Sequence, residues 1–125
     1  QYIIDFAIKQ NDKGNPYPIW GTCLSYEAVM YLYSGRKDNM TTLTHVNGQR
    51  GLPCNLTVKN RNSVLLRSLS DQEYVKVTTG SGLFWFHHNW AVTLENYQNT
   101  PGINQFWKLV STSVTQDGVE FLSTL

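Results

Sequence analysis

The chain has 125 residues, 41% hydrophobic and 13% aromatic, enough for one small domain with a core. Ten Lys and Arg against nine Asp and Glu, with no basic cluster longer than Arg36-Lys37, argue against a nucleic-acid partner. No apolar run approaches the roughly 18 residues of a membrane span, and the two cysteines and three histidines lack the paired spacings of a zinc site.

In chain order, residues 1–9 read as a helix with Ile3, Ile4 and Phe6 on an apolar side, and 11–15 as a loop. Pro18-Ile19-Trp20 is a short apolar strand signal. Gly21 permits a tight backbone, and residues 24–34 suit a helix stopped by Gly35. Cys23 then falls at the corner between strand and helix, exposed and facing the positive end of a helix dipole, an arrangement suited to a nucleophile. A small cysteine buried in an α/β core fits the same segment.

Residues 41–46 alternate like a strand, Asn47-Gly48 signals a turn, and 55–59 is a second β run. Residues 62–69 read as a helix capped by Asn62 or Ser63, with Val64, Leu65, Leu66 and Leu69 facing the core. Residues 73–79 alternate as a strand. Between 80 and 90 lie four aromatics together with His87 and His88, either an aromatic plug over a sheet or the wall of a pocket. Residues 106–114 and 119–125 form the clearest hairpin, around Gln116-Asp117-Gly118. His45, in a strand-like run, is expected to be structural or exposed. Cys54, beside Pro53 and a sequon, is expected as an unbridged thiol near the surface or as a partner for a residue outside this sequence, with a Cys23–Cys54 disulfide as the other possibility. Asn39-Met40-Thr41 and Asn55-Leu56-Thr57 are sequons, acceptor sites in a secretory protein.

The segment Tyr17-Pro18-Ile19-Trp20-Gly21-Thr22-Cys23-Leu24-Ser25-Tyr26-Glu27 resembles the nucleophile segment of gamma-glutamyl hydrolases, cysteine peptidases of the class I glutamine amidotransferase-like group. Phe86-His87-His88-Asn89-Trp90 is similar to that family's Phe-His-Lys-Trp, and Gly118-Val119-Glu120-Phe121-Leu122-Ser123-Thr124 to its Gly-Lys-Ile-Glu-Phe-Ile-Ser-Thr strand. Ser25 departs from the family's usual glycine.

The resemblance implies an α/β fold, part of a flavodoxin-like three-layer sandwich with a C-terminal β-hairpin. The chain (1–125) would be a single partial domain, its middle-to-late part, without the family's Trp-His-Pro-Glu segment. It implies hydrolysis of gamma-linked glutamyl amides such as those of folate poly-gamma-glutamates, with Cys23 as nucleophile and the Leu24 N–H as one oxyanion donor. His88, His87 and Glu27 would line the substrate pocket, and Asn55 and Asn39 would carry glycan. No cofactor or metal is implied. The partner would be a gamma-glutamyl small molecule or peptide, a homodimer is compatible, and the location would be lysosomal or secreted. These residues alone are expected to be inactive. The alternatives are a non-catalytic relative with a binding or structural role, and an amidotransferase domain, whose elbows usually end in Gly-x-Gln where this chain has Tyr26-Glu27.

Overall fold

The computed structural model describes residues 1–35, 43–46, 52–80 and 84–125. The fold is mixed α/β with small sheets. Helix α1 (Tyr2–Asn11) carries Asp5 in its first turn and Lys9 in its last, each complementing the helix dipole. Of its apolar side only Ile4 is half-buried, while Ile3 and Phe6 face solvent and Phe6 meets Tyr17 edge-on. The segment Pro18-Ile19-Trp20 is not a strand: it joins no sheet, and Trp20 is 77% exposed. A short apolar run becomes a strand only where a neighbour pairs its backbone, and no described residue does so.

Helix α2 (Leu24–Tyr33) follows, and Gly35 at φ 85° ends it in the left-handed conformation that glycine adopts without penalty. The expected strand at 41–46 is reduced to β1 (Thr44–His45), and the expected turn at Asn47-Gly48 lies outside the described residues. The β run at 55–59 is reduced to β3 (Thr57–Val58), and a further strand, β2 (Leu52–Cys54), lies just before it.

Two expectations are overturned. Residues 62–69 form a series of turns: Leu66 and Arg67 N–H groups donate to the Ser63 carbonyl, and Leu69 to Leu66, without becoming a continuous helix. Val64 is 75% exposed rather than in the core. Residues 73–79 belong to α3 (Asp71–Thr79), because Ser70 and Glu73 form a capping box that closes the first turn in both directions. Alternation of Val75 and Val77 suits a strand only with a partner, and the local cap decides for helix. The Arg61 guanidinium ties the turns to α3 by an ion pair with Asp71 and by lying 4.3 Å over the Tyr74 ring.

The aromatic segment forms β4 (Phe84–Phe86) and β5 (Trp90–Ala91), followed by two short helices, α4 (Leu94–Gln98) and α5 (Pro101–Asn104). The predicted hairpin is present as β6 (Ser111–Val114) and β7 (Glu120–Thr124), shorter at its start because Phe106 and Trp107 complete the turns after α5. Gly118, at φ 84°, makes the turn between them. Among the described residues the sheets are β1-β5, β2-β4 and β3-β6-β7, all antiparallel. The Leu122 N–H donates to the Val92 carbonyl at 2.9 Å, and Thr93 bridges Phe121, so the end of β5 is stitched to β7.

The core has two parts. Met30 of α2, Val92, Ile103 of α5 and Leu122 of β7 form one, and Val46, Ala91 and Phe121 the other. Gly102 is required where α5 crosses the end of α2, since a Cβ there would sit 2.0 Å from the Tyr33 carbonyl oxygen. Strand β6 is hydroxyl-rich, buried and bonded on both of its faces: Ser111 Oγ reaches Thr124 Oγ1 at 3.0 Å, Thr112 Oγ1 donates to Glu120 Oε1 at 2.6 Å, and Ser113 Oγ donates to the Asn55 carbonyl at 2.9 Å. The Thr112 hydroxyl and the Lys59 ammonium hold the Glu120 carboxyl below its usual range.

Candidate active site

Only the helix half of the expected corner is present, since no strand precedes Cys23, and the strained residue is Cys23 rather than the glycine. Cys23 has φ 57° and ψ −124°, the only positive φ at a non-glycine among the described residues, a conformation side chains rarely adopt. Gly21 has ordinary backbone, and a Cβ there would meet its neighbours at 3.5 Å, normal contact distance. The turn is held by Ser25: its hydroxyl accepts from the Thr22 N–H at 2.9 Å and donates to the Thr22 carbonyl at 2.7 Å. The Glu27 N–H donates to the Cys23 carbonyl at 3.1 Å and starts the helical ladder. Ser25 is therefore a clasp, a role that a comparison with glycine does not bring out.

Cys23 is exposed at the N-terminal end of α2, and Leu24 is the helix's first residue, its backbone N–H among the donors that no intrahelical carbonyl can reach. The Leu24 side chain is 74% exposed. Cys54 is buried rather than near the surface, forms no disulfide with Cys23, and burial pushes its thiol up. Its strand pairs with β4 on one side, which carries it inward.

A cleft of about 670 Å³ opens beside the elbow and is lined by Cys23, Glu27, His87 and His88 together. These four come from two stretches more than fifty residues apart in sequence, α2 with its cap and the loop after β4. Trp20, Phe86, Trp90 and Leu122 supply much of its apolar wall. Glu27 is half-buried, and burial pushes its carboxyl above the usual carboxylate range. His87 is exposed. His88 is half-buried, edge-on to Phe86 at 5.5 Å and to Phe121 at 5.4 Å. Burial lowers its pKa, partly offset by a hydrogen bond to the Trp90 backbone, and so keeps the ring neutral near pH 7.

Of the remaining sites, Asn55 is exposed between β2 and β3, and Asn39 lies outside the described residues. His45 is exposed on β1, edge-on to Trp90. Among the described residues Cys23 has no hydrogen-bonded base. Two cleft residues that pattern reading passed over are Tyr26 and Trp107, both of which look like core aromatics in sequence.

Fold and cleft define a mixed α/β chain that presents a cysteine on a strained helix cap beside an apolar pocket with two histidines. No protein-family model matches it. Its sequence is similar to the gamma-glutamyl hydrolase of Rattus norvegicus, 30% identical over 120 residues, covering 95% of this chain and 36% of that protein. The Mus musculus and Bos taurus gamma-glutamyl hydrolases are 28% and 26% identical, over 95% and 97% of the chain and 36% of each relative. The chain is thus gamma-glutamyl hydrolase-like over nearly its whole length and spans about a third of the curated relatives it matches.

Proposed function

We propose that this chain carries the nucleophile of a cysteine-dependent gamma-glutamyl hydrolase, in a domain of the class I glutamine amidotransferase-like sandwich. The observation that supports the reading best is the positive φ of Cys23 at the start of α2, because a nucleophile elbow needs such a backbone to present its side chain clear of the segment before it and the helix after it. In this reading the Cys23 sulfur attacks the carbonyl carbon of a gamma-linked glutamyl amide, and the Leu24 N–H donates to the developing oxyanion. As the C–N bond breaks, a histidine supplies the proton that leaves with the amine. Water then cleaves the thioester and releases the gamma-carboxylate, returning the thiol. Glu27, His87 and His88 bind the substrate, and no cofactor takes part. The substrates in view are folate poly-gamma-glutamates and related gamma-glutamyl peptides.

The location that goes with this function is lysosomal or secreted, in keeping with the exposed Asn55 of the sequon Asn55-Leu56-Thr57; glycan mapping at Asn55 on protein from its native source tests it. A non-catalytic role has one observation in its favour, the absence of a hydrogen-bonded base at Cys23 among the described residues. The deciding experiment labels the full-length gene product with limiting iodoacetamide and assays a Cys23→Ala variant on a gamma-glutamyl peptide. Label should fall first on Cys23 and the variant should lose turnover by several orders of magnitude. Undiminished hydrolysis by Cys23→Ala, or preferential labelling of Cys54, rejects the proposal.

A further inference from the structure

Closing the first turn of a helix usually falls to the side chain of the cap residue, whose oxygen accepts from a backbone N–H two or three residues on. The cap of α2 is Cys23, and its side chain makes no such bond. The closure comes from inside the helix instead. Ser25, the second residue of α2, bonds back to Thr22, the residue before the cap: its hydroxyl accepts from the Thr22 N–H at 2.9 Å and donates to the Thr22 carbonyl at 2.7 Å, and its own N–H donates to that carbonyl at 3.2 Å. Residues 22–25 thus close a small ring, and the residue inside it with a positive φ is the one that carries the thiol.

Two hydroxyl bonds are of the same order as the cost of holding a residue with a side chain at positive φ, so they are enough to decide whether Cys23 keeps that conformation. Without them Cys23 would relax to negative φ, and its sulfur would swing from the place it holds beside the cleft. Ser25 is exposed and is not among the residues that line the cleft, whereas Thr22 and Cys23 are, so it reaches the chemistry only through its neighbours. We propose that Ser25 is a positioning residue for Cys23: its hydroxyl takes over the closure that a serine or aspartate at position 23 would provide, and leaves the sulfur oriented and unused by the cap. This role rests on the reading of Cys23 as a nucleophile.

The test compares Ser25→Ala and Ser25→Thr in the full-length gene product. Alanine removes the hydroxyl but is the better helix former, so α2 should persist while the tie is lost, as circular dichroism would report. Threonine keeps the hydroxyl at an exposed position. Alkylation of Cys23 by iodoacetamide in the folded protein, timed by peptide mass mapping, should slow about three- to tenfold in Ser25→Ala and return to within about twofold of the parent rate in Ser25→Thr, the scale expected for the hydroxyl's hydrogen bonding. On a gamma-glutamyl peptide, kcat should fall by a similar factor in Ser25→Ala with KM unchanged, because Ser25 does not line the cleft. A merely structural serine would lower the melting temperature and leave the alkylation rate of the folded protein alone. Unchanged or faster alkylation in Ser25→Ala, equal slowing in both variants, or a raised KM at constant kcat would overturn the proposal. Alkylation involves no substrate, so it judges Ser25 even where Cys23→Ala leaves hydrolysis undiminished and the hydrolase reading fails.

Discussion

At Cys23 the backbone carries the strain that a glycine would relieve, and the side chain that occupies the position is a thiol. Holding an L residue in such a region costs on the order of 1–3 kcal/mol. Cys23→Gly should therefore raise the chain's stability by about 1 kcal/mol relative to Cys23→Ala, read by denaturant midpoint; equal stability of the two variants would mean that the cap is unstrained. His88 makes a second prediction, in pH. Its folded pKa lies below its unfolded value near 6.5, so the unfolded chain takes up the proton first as pH falls. The contribution of His88 to stability is complete above about pH 6.5 and declines as pH drops through the window down to its lowered folded pKa. Glu27, raised by burial, acts in the opposite sense above its unfolded value near 4.5, favouring the folded state as pH falls. Comparing the chain with His88→Gln isolates the histidine: the variant should show a flatter decline below pH 6.5, and an unchanged slope would contradict the buried, neutral ring.

Among the elements, α2 and the β6–β7 hairpin follow from local signals that tertiary contacts then reinforce, whereas α3 shows a local signal overriding a pattern. Residues 73–79 alternate, yet Ser70 three residues before Glu73 closes both ends of a capping box. No residue of α3 is buried, so packing contributes little to its choice of helix. Ser70→Ala should lower the stability of α3 by about 1 kcal/mol and speed amide hydrogen exchange in its first turn, with Glu73→Gln milder because an amide oxygen still accepts. Exchange in α3 unaffected by Ser70→Ala would show that the Arg61 contacts to Asp71 and Tyr74 hold the helix instead.

For the molecule as a whole, the two histidines and the thiol line one cleft, and among the described residues none is a hydrogen-bonded base for Cys23. With the chain spanning about a third of its curated relatives, the expected result is that residues 1–125 alone release no glutamate from a gamma-glutamyl peptide, even where iodoacetamide still reaches Cys23. Glutamate release at a rate comparable to the full-length gene product would make His87, His88 and Glu27, which share the cleft with Cys23, the candidates for a self-sufficient catalytic set.

Much of this protein is local, and the sequence by itself determined that part. Gly-Thr-Cys before an apolar helix placed the thiol on a cap, Gly35 ended α2, and Gln116-Asp117-Gly118 set the hairpin, because turns and caps depend on φ/ψ preferences of a few neighbouring residues. The tertiary structure decided everything that needs a partner. It left Pro18-Ile19-Trp20 unpaired among the described residues, spread residues 62–69 into turns, and drew Cys54 inward. It also brought Glu27 and His88 to one cleft, which Tyr26 and Trp107 line as well. Strand pairing, burial and the convergence of distant side chains are set by contacts between segments far apart in sequence, and no local pattern carries them.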